Sequence, residues 1–118
     1  VVIDLPLSVD IVQTVKSATT DGSRRSIANR YDVVDTVKAD KQPISTEEKV
    51  RAGFSINREM YEFFLEPLTS YTLVTGDYIL YNEEYYLVQD IVNYETLLVD
   101  GYDHLEVVTE RMVIAPNA

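Results

Sequence analysis

The stretch from Asp77 to Val92, DYILYNEEYYLVQDIV, constrains the fold more than any other part of the chain. Tyr78–Tyr81 and Tyr85–Val88 are aromatic and aliphatic runs that flank Asn82-Glu83-Glu84. Two such runs around a short turn, whose Asn tolerates positive φ, form a β-hairpin.

The same two-residue period recurs elsewhere. In Val9–Val15, Val9, Ile11, Gln13 and Val15 share one face while Asp10, Val12 and Thr14 share the other, as in a half-buried strand. A cluster of turn formers, Ser17 to Ser23 with Asp21-Gly22, ends it. From Arg30 the sequence RYDVVDTVKA resumes the alternation, with Tyr31, Val33, Asp35, Val37 and Ala39 on one face, and its β-branched residues favour a strand over a helix. Pro43 limits the residues after it to an edge, a bulge or a loop. Ser45 or Thr46 caps at most two helical turns that Gly53 closes. Ile56 to Leu65 mixes a helical spacing (Met60, Phe64) with an alternating one (Tyr61, Phe63, Leu65); its aromatics and the nearby Pro67 favour a strand. A second strand pair is expected from Tyr94–Val99 and His104–Val108, joined by a turn at Asp100-Gly101.

About six or seven short strands at this spacing predict an all-β fold, a small antiparallel barrel or sandwich with long loops. One domain is expected over residues 1–118, with a flexible N-terminal segment 1–8 and a tail, 111–118, that trails off or docks on a neighbour. No apolar run approaches the roughly 20 residues of a bilayer helix, and VVIDLPLSVD lacks the basic start and long apolar middle of a signal peptide, so no membrane association is expected. The absence of cysteine rules out a disulfide framework and a thiolate zinc site.

Charge is unevenly spread. Nine of the ten basic residues precede position 59, whereas Glu59 to Glu110 holds twelve acids and no Lys or Arg. An anionic surface repels phosphate and favours basic protein partners, so sequence-specific nucleic-acid binding is not expected. The residues for catalysis are few. His104 is the single histidine, so a Ser-His-Asp triad has one candidate base, and no G-x-S-x-G elbow is present. Glu83, Glu84, Asp100 and Asp103 fall in expected turns, where acids simply meet water. The chain is accordingly read as a non-enzyme without metal or cofactor. Nine tyrosines, by contrast, stand in a chain without tryptophan, and Tyr78, Tyr81, Tyr85 and Tyr86 crowd the hairpin. Outward tyrosines suit a protein interface; cross-strand pairing that only stabilises the sheet is the alternative. Arg24, Arg25 and Arg30 beside the first long loop, with Lys49 and Arg51 in the second, offer positive charge to an acidic neighbour.

Two segments, RYDVVDTVKADKQPISTEEKVRAGF and TGDYILYNEEYYLVQDIVNYE, carry a family resemblance. Their order of strand, X-Pro segment and acidic loop, then Gly-Asp, turn and Tyr-x-Val hairpin, resembles the head-closure (stopper) proteins of tailed-phage necks, which are related to head-tail adaptors. The resemblance spans residues 9 to about 110. It implies a β-barrel that forms a homo-oligomeric ring beneath the portal, contacts other neck, portal-adaptor and tail proteins, and resides in the virion after assembly in the host cytoplasm. A loop corresponding to Asp40–Ser55 would reach toward the channel or a neighbouring subunit, and DNA would pass without sequence-specific binding. The sequence departs from the pattern at Tyr31, where a Trp is often found, and Val1–Ser8 has no counterpart. Adaptor and tail-terminator positions therefore stay open beside that of stopper, as does a monomeric β-barrel protein-binding module.

If subunits meet through basic loop against acidic face, reversing Arg24 and Arg25 to Glu weakens assembly. Unchanged oligomer mass by light scattering would count against that contact.

Overall fold

The structure, a computed structural model, describes residues 5–15, 30–93 and 104–116. Six strands wind into a closed barrel: β1 (Leu7–Val15), β2 (Arg30–Pro43), β3 (Met60–Leu65), β4 (Tyr78–Tyr81), β5 (Glu84–Asn93) and β6 (Leu105–Arg111), with one short helix, α1 (Thr46–Arg51), between β2 and β3. Around the wall the order is β1-β2-β3-β6-β5-β4, with β4 returning to β1. Every pairing is antiparallel.

The hairpin forms where its sequence places it, with a tighter turn than expected. Tyr81 pairs with Glu84, leaving Asn82 and Glu83 as a two-residue loop at φ of 51° and 66°. Positive φ at both central positions is the twist that matches two right-handed strands. Helix α1 starts where a Ser45 cap predicts it: the Ser45 side chain accepts from the Glu48 backbone N–H, and Gly53 takes a φ of 84° just past its end. Other boundaries move. β1 already begins at Leu7, inside the segment expected to be flexible, because Leu7 and Ser8 pair with Ala39 and Lys38. β6 runs to Arg111, the first residue of the expected tail, because Arg111 pairs with Tyr86. β2 continues through Asp40–Pro43, which pair with Phe64–Tyr61, so the expected loop begins only at Ile44. Of the Ile56–Leu65 segment, Met60–Leu65 forms strand. The pair expected around Asp100-Gly101 falls largely outside the described residues, but β6 does return alongside β5.

Two bulges reorganise the faces. Between Ile11↔Asp35 and Val12↔Val33 the register skips Val34. This extra residue bends β2 and reverses its alternation, so Tyr31 and Val33 face outward while Val37, Ala39 and Lys41 face inward. Unbroken alternation, as the sequence suggests, would put Tyr31, Val33, Val37 and Ala39 on one face. In β5 the register skips Gln89, which lets both Val88 and Ile91 turn toward the core.

Val9, Ile11, Val37, Ala39, Phe63, Leu65, Leu73, Ile79, Tyr86, Val88, Leu105 and Val107 fill the barrel. Its shortest seam is β1 against β4, with three paired positions: Asp10↔Leu80, Ile11↔Ile79 and Val12↔Tyr78. Asp77 extends that seam. Only 2% exposed, its carboxylate accepts from the Thr14 backbone N–H of β1 (3.2 Å), the Val74 N–H (3.1 Å) and the Tyr71 hydroxyl (2.7 Å). Thr14 Oγ1 donates to the Gly76 carbonyl (2.9 Å), and Val88 N–H to the Asp77 carbonyl (2.9 Å). A buried carboxylate is tolerated because these dipoles replace its water. Burial, reinforced by the bond to Asp77, raises the Tyr71 hydroxyl above the ordinary phenol range, so it stays a donor.

Asp77→Ala strands these donors and is expected to lower stability by roughly 3 kcal/mol in urea unfolding. A loss below about 1 kcal/mol would mean that the seam does not depend on it.

Candidate interaction surface

The tyrosines divide between the two sides of the wall. Tyr61, Tyr81 and Tyr86 point inward at one mouth of the barrel, where Tyr86 is 1% exposed. Their rings surround the Lys41 ammonium, which lies 5.0, 5.4 and 5.4 Å from the Tyr61, Tyr81 and Tyr86 centroids and donates to Tyr86 Oη at 3.3 Å. Each ring face attracts the cation, so an inward lysine is held without a carboxylate partner of its own. Tyr86 donates to Glu84 (2.9 Å), which also meets Arg111 (3.2 Å), and Arg111 pairs with Glu59. A chain of polar contacts thus caps this mouth. Burial, with help from Glu84, lifts the Tyr86 hydroxyl above its ordinary range.

Tyr31, Tyr78 and Tyr85 lie on the outer side. Their rings meet edge to face, Tyr31 with Tyr78 at 5.9 Å and Tyr78 with Tyr85 at 6.0 Å. They form a partly exposed stripe across β2, β4 and β5, with Leu80 on the same face and Val33 57% exposed. Such rings offer large contact area at small entropic cost.

Of the residues expected to meet a neighbour, Tyr78 and Tyr85 thus face outward, whereas Tyr81 and Tyr86 belong to the inner mouth. Alternation required this division: Tyr86 shares its face with Val88, and Tyr81 with Ile79. Arg30 is exposed at the start of β2 and bonded to Asp32 (2.8 Å); Arg51 is exposed on α1 and bonded to Glu47 (3.0 Å). Both are therefore partly neutralised within the chain. Lys49 is half-buried on α1, and Arg24 and Arg25 lie outside the described residues. Tyr31 is legible as a strand residue but not as part of the stripe, since no local signal locates the bulge that turns it outward.

The loop between β2 and β3 is fastened to the end of β6. Arg58 makes a forked pair with Glu110 (2.9 and 2.7 Å) and lies over the Phe54 ring (4.9 Å), while the Arg111 backbone N–H donates to the Glu59 carbonyl (2.9 Å). Beyond it, Val113 and Ile114 are 89% and 72% exposed. His104 is buried against Glu106 (3.3 Å) and beside the Phe64 ring. Among the described residues no three His, Asp or Glu side chains are grouped to hold a metal ion.

No protein-family model matches the chain, and comparison with curated proteins yields no match.

The carboxylates of the outer wall titrate in opposite senses. The hydrogen bond from Arg58 holds Glu110 below its ordinary value, so this group stabilises the fold above that value and the gain is lost as pH falls through the lowered one. Burial, then Glu106 and Glu48, raises Glu62. Its contribution is fully present below the ordinary value of 4.5 and is lost as pH rises through the raised one. Glu62→Gln should therefore raise the thermal midpoint near neutral pH and leave it unchanged at about pH 3, where the wild-type carboxyl is protonated. An equal gain at both pH values would contradict the assignment to charge.

Proposed function

We propose that the protein is a non-enzymatic structural subunit of a tailed-phage neck, a head-closure or connector protein that builds a ring around the channel through which DNA passes. The observation that carries this reading is the Tyr31–Tyr78–Tyr85 stripe, a partly exposed aromatic surface on the outside of a closed barrel. A barrel without a free sheet edge along its closed wall assembles through side chains rather than by adding strands. An outward aromatic stripe provides such side chains.

Two further features support the reading. The Ile44–Glu59 connection, with α1 in it, is fastened at its base by Arg58 and Arg111, which lets a largely exposed loop project from one mouth in a defined direction. The excess of acids over the second half of the chain suits a channel wall that DNA slides past without adhering. The adaptor and tail-terminator positions in the neck share these requirements.

The stripe also favours a second reading, a monomeric binding module whose contiguous aromatic patch takes a protein ligand. Mass measured by light scattering after size exclusion, over a concentration series, separates the two. A discrete oligomer of fixed subunit number is expected for the neck subunit. A strict monomer at every concentration would transfer the reading to the binding module.

A further inference from the structure

The Met112 backbone N–H donates to the Tyr85 carbonyl at 2.8 Å, so the chain stays beside β5 for one residue past β6 and then leaves the sheet at Tyr85. Tyr85 is also where the outer stripe ends. Immediately afterwards come Val113 and Ile114, the most exposed large hydrophobic residues among those described, at 89% and 72%. Two branched aliphatic side chains therefore stand in solvent beside the root of an aromatic surface that they do not cover.

Electrostatics narrows what can cover them. The chain carries a net charge of -10, so two copies repel wherever their acidic surfaces meet. Residues 112–118 contain no charged side chain. The stripe is also neutral, built from Tyr31, Tyr78 and Tyr85 with Leu80 on the same face. A contact between these two surfaces removes apolar area from water without bringing carboxylates face to face. Stripe to stripe would leave the exposed pair unburied, and arm to arm would leave the stripe uncovered; arm to stripe buries both.

We propose that Val113 and Ile114 form an arm that packs on the Tyr31–Tyr78–Tyr85 stripe of a second copy of this chain. The inference rests on the ring reading and names its subunit contact. The arm and the stripe are different surfaces, so on the ring reading each copy gives its arm to one neighbour and its stripe to the other, a head-to-tail contact that closes by a constant rotation.

The test compares the mass of the wild-type protein with that of V113D/I114D and Y31S/Y85S, each checked by circular dichroism melting. The arm substitutions fall on exposed positions, so V113D/I114D should melt like the wild type and yet be monomeric where the wild type is oligomeric. Y31S/Y85S should also be monomeric. An equimolar mixture retains one intact arm and one intact stripe, and should give a heterodimer and nothing larger. If Y31S/Y85S fails to fold, the arm variant alone decides. Wild-type mass in V113D/I114D overturns the arm contact while leaving the ring reading in place, as does a mixture of folded variants that stays monomeric. A wild-type protein that is monomeric throughout overturns both.

Discussion

Asp77 closes the barrel, and the rest of the structure depends on that closure. Six strands make a wall only if the last returns to the first, and β4, the shortest strand, meets β1 over three paired positions. Such a short ladder leaves Thr14 of β1 without a strand partner on that side. The Asp77 carboxylate supplies the missing acceptor, and its other bonds fix Tyr71 and Val74 in the preceding connection. One side chain thus ties β1, the connection and the start of β4 together, and its own carbonyl accepts from Val88 of β5.

Closure gives the wall an inside and an outside, and the tyrosines acquire different roles from the side they occupy. Inside, Tyr61, Tyr81 and Tyr86 hold Lys41 and finish the core with a polar mouth, where a hydroxyl and a cation are tolerated because each has partners. Outside, Tyr31, Tyr78 and Tyr85 hold one another edge to face and remain partly exposed. The charged groups obey the same logic. Arg58 and Arg111 fasten the Ile44–Glu59 loop to the mouth instead of serving as free positive charge, and Arg30 and Arg51 each have an acid close by in sequence. Among the described residues, the tyrosine stripe and the exposed pair Val113 and Ile114 offer contact area without a carboxylate.

The elements themselves are legible in the sequence because alternation and turn chemistry are local. The Asn82 turn, the Ser45 cap and the all-β class come from a few neighbouring residues each. Faces are legible only as far as the first bulge: Val34 and Gln89 look like ordinary strand residues, and the loss of register is decided by partners far along the chain. For the same reason nothing local marks Lys41 as an inward lysine, or Asp77 as more than a turn former beside Gly76. The rings around Lys41 and the Thr14 N–H that Asp77 accepts from belong to strands far along the chain. The candidate surface is half legible. Hairpin tyrosines stand out together, but only the wall separates Tyr81 and Tyr86 from Tyr78 and Tyr85, and Val113 and Ile114 lie in what reads as a trailing tail.

Whether the seam through Asp77 holds the barrel shut in solution is therefore the central question. Amide hydrogen exchange measures this at one position, the Thr14 N–H, whose acceptor is the Asp77 side chain rather than a strand carbonyl. Closure by Asp77 predicts that Thr14 exchanges as slowly as Val107 in the fully buried wall, through global unfolding alone. Exchange of Thr14 at the rate of an exposed loop amide, with Val107 still protected, would contradict it.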